Sequence, residues 1–130
     1  MKKFLVIFLV LGFSIFASEN LINFTVSKSL ENGKTVKIIP LEKGGQAFKL
    51  DFSGFDANEK LKITSTSGEE VGNFEVPTSE KGDALTIIAP AVADKEGGKA
   101  NILIKTSSEE EISLDYYWGK DLSLNETKSE

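Results

Sequence analysis

From residue 22 to residue 118 the chain alternates apolar and polar side chains, and clusters of Gly, Asn, Asp, Ser or Pro interrupt the pattern about every ten residues. A period of two is the repeat of a β-strand with one face buried. Ile22, Phe24 and Val26 fall on one face of a first strand, with Asn23, Thr25 and Ser27 on the other. The turn Glu31-Asn32-Gly33-Lys34 follows, and Asn-Gly tolerates the positive φ of a tight hairpin. A second strand over residues 35–39 then stops at Pro40, which lacks the N–H that a ladder needs. Phe48, Leu50 and Phe52, set between Lys49, Asp51 and Ser53, make the clearest strand of all. Leu61 and Ile63 alternate with Lys60, Lys62 and Thr64 in a fourth strand, and residues 71–76 form a weaker fifth. Gly72 predicts a bulge or close packing within it. Leu85, Ile87 and Ala89 flank Thr86 and Ile88, so this sixth segment is apolar on both faces and is expected at the centre of a sheet. Ala100, Ile102 and Ile104 oppose Leu103 in a seventh strand, and Ile112, Leu114 and Tyr116 alternate with Ser113, Asp115 and Tyr117 in an eighth.

Nowhere does the sustained i, i+3, i+4 apolar spacing of a helix appear. About seven or eight short strands separated by turn signals predict an all-β chain of two packed antiparallel sheets. Residues 120–130 are polar and lose the period, which reads as a disordered tail. In strand count, in Ile88-Ala89-Pro90 ahead of Gly97-Gly98, and in the following Ala100-Asn101-Ile102-Leu103-Ile104-Lys105-Thr106, residues 20–119 resemble bacterial immunoglobulin-like (Ig/IPT-type) β-sandwich domains. The Cys…Trp…Cys signature of antibody domains is not in the chain, and its one tryptophan lies late. The resemblance implies an adhesive, spacer or recognition module.

The N-terminus has a different pattern. Lys2 and Lys3 precede an apolar run over residues 4–16, and Ala17 stands before Ser18-Glu19-Asn20. A charged start, an apolar middle and a small residue at the boundary are the order of a secretory signal peptide. The run is roughly 20 Å long as a helix, whereas a hydrocarbon core of about 30 Å takes about 20 residues. Residues 1–17 are therefore expected to be removed on export to the periplasm or the medium, leaving no stable membrane span. The domain then comprises residues 18–119 ahead of the tail. Without cysteine, neither bacterial lipoprotein attachment nor a disulfide is possible.

Charge narrows the partners. The chain carries a formal −5, and loss of Lys2 and Lys3 takes it to −7. All fifteen basic residues are lysine, so the paired donors with which arginine grips phosphate are lacking. Nucleic acid is an unfavourable partner on both counts. Histidine is absent too, which removes the side chain that titrates nearest neutrality and the commonest transition-metal ligand.

Candidate chemistry is sparse. Ser-x-x-Lys does not occur; the nearest approaches, Thr25 to Lys28 and Thr78 to Lys81, fall in a strand and in a turn. Asp51 and Asp115 sit on outward strand faces, and Glu109-Glu110-Glu111 falls in a hairpin connection, so each reads as a solvated carboxylate. Asp94, Glu96 and Gly97 begin a calcium-like spacing that Gly98, Lys99 and Ala100 do not complete. Asn23-Phe24-Thr25 and Asn125-Glu126-Thr127 match glycan-acceptor sequons, but a Lys-Lys signal start suggests a bacterium, where such sequons ordinarily go unread. No catalytic, metal or cofactor site is expected. Tyr117 and Trp118, in the densest aromatic stretch, are the candidate partner-binding residues; in the competing reading Tyr116 is core and Trp118 covers a sheet edge. The expected activity is a non-enzymatic contact with an envelope or host protein, or with a glycan. The alternative is an inhibitor or accessory subunit that inserts the loop of residues 77–83 into a partner's cleft.

Overall fold

A computed structural model describes residues 23–126 of the chain. The predicted signal peptide and Ile22 lie outside these residues, as do positions 127–130. Eight strands follow in order: β1 Val26–Ser29, β2 Thr35–Pro40, β3 Phe48–Ser53, β4 Lys60–Ser67, β5 Glu70–Pro77, β6 Ala84–Ile88, β7 Gly97–Lys105 and β8 Glu111–Gly119. They form two antiparallel four-stranded sheets, β1-β2-β3-β6 and β5-β4-β7-β8. The expected all-β sandwich is the observed architecture.

The period-two faces meet between the layers. Val36, Ile38, Phe48, Leu50 and Phe52 of the first sheet are buried against Leu61, Ile63, Ile102, Ile104, Ile112 and Leu114 of the second. Phe48 contributes its ring edge-on to Tyr116 at 5.0 Å. Such burial is worth about 1.5–3 kcal/mol per large apolar side chain, which holds the chain together without a disulfide. In the β1–β2 hairpin, Gly33 N–H bonds Leu30 O and Leu30 N–H bonds Lys34 O. Gly33 alone takes the positive φ, at 93°, while Asn32 donates no such conformation and instead accepts Lys34 N–H through its side chain.

Four expectations fail. The first strand starts later than its alternation suggests, because residues 23–24 form a turn and β1 begins at Val26. The sixth segment does not lie centrally: β6 pairs only with β3 and is an edge strand, which leaves Leu85 and Ile87 in solvent. Period and apolarity report which faces could be buried, whereas neighbours are decided by topology. Gly72 makes no bulge, because the β4–β5 register runs unbroken from Lys60↔Pro77 to Ser67↔Glu70, and no atom lies within 4 Å of where its Cβ would be. The segment after Gly119 is not a disordered tail as far as it is described. Leu122–Asn125 forms a 3-10 helix with Leu122 and Asn125 buried. Asn125 Nδ2 donates to Tyr117 O at 2.9 Å and its Oδ1 accepts Tyr117 N–H at 2.8 Å, so one amide side chain replaces a neighbouring strand along β8. The entry into this helix depends on Gly119, at φ 63°, where a Cβ would stand 2.1 Å from Glu96 O.

Candidate functional site

The lateral edges of the sandwich are finished differently. On the β1/β8 side, Lys28 Nζ reaches across to Ser113 O at 3.2 Å, and Asn125 covers Tyr117. Strand β5 carries Glu70, Gly72, Glu75 and Pro77, residues that discourage strand addition. Strand β6 reads Ala-Leu-Thr-Ile-Ile and contains none of these safeguards. Its outward side chains Leu85 and Ile87 are 59% and 65% exposed. Register places Lys37 and Asp51 beside Leu85, and Ile39 and Lys49 beside Ile87, so an apolar ridge borders a mixed-charge face. An open groove of about 620 Å³ runs along it, lined by Lys37, Asp51, Ser53, Asp83, Ala84 and Leu85.

At one end of the sandwich, Glu59 ties three loops. It is buried, and its Oε1 accepts Asp56 N–H at 3.1 Å while Oε2 accepts Ser107 N–H at 2.8 Å and Ser107 Oγ–H at 2.9 Å. Burial pushes its pKa up, but these hydrogen bonds and the Lys34 charge outweigh that and hold it below the usual carboxylate value. Thr78 Oγ1 accepts Glu59 N–H at 2.7 Å and donates to Asp56 O at 2.6 Å. Lys34 Nζ pairs with Glu110 at 2.7 Å and lies 5.5 Å from the centre of the Phe55 ring. The hydrogen bond to Glu110 raises the Lys34 pKa; burial opposes this, and the charges of Glu110, Glu59 and Asp56 add to it. Both carboxylate oxygens of Glu59 and the Thr78 hydroxyl are engaged by groups of the fold itself, which makes them a structural clasp. Sequence reading missed it; the spacing of Asp56 and Glu59, in which a carboxylate reaches back to a backbone N–H three residues earlier, is the one local signal.

The residues singled out from sequence are dispersed. Trp118 is 1% exposed and packs in the core, so its ring faces are not offered to a ligand. Tyr117 is half-buried on the outer face of β8, with its backbone held by Asn125. The two therefore point to opposite faces of one strand and do not form a joint platform. Of the residues near Ser-x-x-Lys spacing, Lys28 closes a sheet edge and Thr78 is a buried loop staple. Loop 77–83 is held within itself, where Gly82 N–H bonds Ser79 O and Ser79 Oγ accepts the N–H groups of Lys81 and Asp83, and against the fold, where Phe55 N–H bonds Gly82 O at 3.1 Å and Asn58 N–H bonds Ser79 O at 3.0 Å. Asp94 takes a positive φ in the turn closed by Lys95 N–H to Val92 O, and the Glu96 carbonyl accepts Lys120 N–H. Asn125 is fully buried, which closes that sequon in the folded state, while Asn23 is exposed. Among the described residues no group of three or more His, Cys, Asp or Glu converges to hold a metal ion, and no helix is long and apolar enough to cross a membrane.

Comparison with family models, with curated proteins and with solved structures finds no match to this chain.

Proposed function

We propose that this chain is an exported, non-enzymatic interaction module of the bacterial envelope or secretome, and that it engages a protein partner by strand addition at β6. One observation carries the reading. A strand apolar on both faces, the composition of a sheet interior, lies at an edge with Leu85 and Ile87 exposed. An added strand gives such an edge both main-chain hydrogen bonds and apolar neighbours. Export rests on the Lys-Lys start, apolar run and Ala17 boundary of residues 1–17. The Ig-like resemblance draws support from the pairing of β3 with β6 and of β4 with β7, crossovers of the kind that Greek-key sandwiches use.

Site-specific photocrosslinking tests the binding face. A crosslinker placed at residue 85 or 87, in cells of the natural source, is expected to capture a protein, whereas one at Leu124, also exposed, is expected to capture none. Equal capture at all three positions, or none at 85 and 87, overturns the reading. Sequencing the N-terminus of the recovered protein tests export: a start at Ser18 supports it, and an intact Met1 in the cytosol refutes it.

A further inference from the structure

The composition of β6 says more than that it lacks a neighbour; it also constrains which neighbour fits. The ladder with β3 fixes what stands beside each β6 residue: Asp51 lies level with Leu85, Leu50 with Thr86 and Lys49 with Ile87. One step further, Lys37 is level with Asp51, and Ile39 with Lys49. Along the strand the nearest neighbour on β3 therefore changes from Asp51, itself beside Lys37, at Leu85 to Lys49 at Ile87. An edge of this kind is complementary to itself when reversed.

We infer that the strand completing this sheet is β6 of a second copy of the chain, paired antiparallel about a two-fold axis at Thr86. The inference rests on the reading of β6 as the binding edge. Leu85 of one copy stands opposite Ile87 of the other, and the symmetry repeats that apolar pair. Each level across the joint reads Lys37, Asp51, Leu85 in one copy and then Ile87, Lys49, Ile39 in the second, so opposite charges bracket the apolar contact. The result is one continuous sheet of eight strands.

Other registers are worse, for reasons the ladder supplies. A slip of one residue sets outward Leu85 opposite inward Ile88 and turns the two sandwiches to opposite sides of the sheet. A slip of two in one direction pairs Leu85 with itself, sets Ile87 against Asp83 and brings the two Asp51 levels together. In the other direction Ile87 pairs with itself, Leu85 meets Ala89 and the two Lys49 levels coincide. Only the Thr86 register buries all four exposed side chains against one another. A five-residue joint is small beside the roughly 1,200–2,000 Å² of a standard interface, so the dimer is weak and reversible.

Sedimentation of the chain purified as expressed, over about 10 μM to 1 mM, the range set by so small an interface, is expected to show mass rising from monomer toward dimer. The L85K/I87K variant places lysine opposite lysine and is expected to weaken association by about tenfold or more. The L85K/I87E variant places lysine opposite glutamate twice and is expected to recover it. Because the chain has no cysteine, L85C and I87C can be mixed, one of them mass-tagged, and oxidised. The crossed disulfide is expected to exceed either like-with-like product. A chain that stays monomeric to 1 mM, association indifferent to L85K/I87K, or like-with-like disulfides in excess each overturn the inference. Photocrosslinking from residue 85 to a different protein, with the chain itself monomeric, overturns the second copy and leaves β6 as the binding edge. Absence of both removes the binding reading as well.

Discussion

Replacing Glu59 by glutamine tests whether one buried carboxylate is the clasp of the loop end of the sandwich. The wild-type carboxylate accepts three hydrogen bonds, one on Oε1 and two on Oε2. Glutamine has a single acceptor oxygen. With that oxygen kept on Ser107, the amide nitrogen meets Asp56 N–H, donor against donor; with the amide reversed, it meets Ser107 N–H in the same way, and only the Ser107 hydroxyl can adapt, by accepting. The better arrangement still forfeits one charge-assisted bond and leaves a donor unpaired, a cost of about 1–3 kcal/mol. That is a sizeable share of the roughly 5–15 kcal/mol that holds a domain folded. Urea unfolding followed by Trp118 fluorescence reads it directly, because this buried side chain is the only tryptophan. The midpoint for E59Q at pH 7 is expected to fall by about 1 M, given slopes of about 1–3 kcal/mol per M. The pH dependence supplies the sign. The Glu59 pKa is lowered on folding, so the stability it contributes is present above its ordinary value of 4.5 and is lost as pH falls through the lower folded value. The gap between wild type and E59Q therefore narrows on acidification toward pH 3. Equal midpoints at pH 7, or a gap unchanged by pH, would refute the argument.

Two further changes probe the core and the C-terminal cover. Tyr116 is fully buried, its hydroxyl finds no hydrogen-bond partner among the described residues, and burial pushes its pKa up. Y116F is thus expected to equal or exceed wild-type stability by up to about 1 kcal/mol while keeping the edge-on contact with Phe48; a clear drop in thermal midpoint would show that the hydroxyl is bonded. N125A removes both hydrogen bonds to Tyr117 and is expected to cost about 1–3 kcal/mol. Amide hydrogen exchange at Tyr117 should quicken in that variant, and an unaltered rate would mean that the 3-10 helix does not cover the strand.

Inward-facing residues were legible because they are spaced by twos. Phe48, Leu50 and Phe52, or Ile112, Leu114 and Tyr116, admit only one buried face, and each triplet is buried as its spacing requires. The Asn125 clamp gave no such sign. A buried asparagine in a polar segment looks like any solvated one until its two amide groups are seen to match the two backbone groups of Tyr117. Glu59 was hidden in the same way among twenty acidic residues. Its role comes from Ser107, a residue remote along the chain.

Strand number, turn positions and the composition of the core are thus properties of the sequence alone, since they follow from local periodicity and from residues that accept special backbone angles. Sheet order is decided only in three dimensions, because pairing joins segments distant along the chain, and here it set the doubly apolar β6 at an edge. Tertiary structure likewise turned Trp118 into the core and left Leu85 and Ile87 in solvent. Alternation tells which residues share a face; only the packed layers tell whether that face meets protein or water.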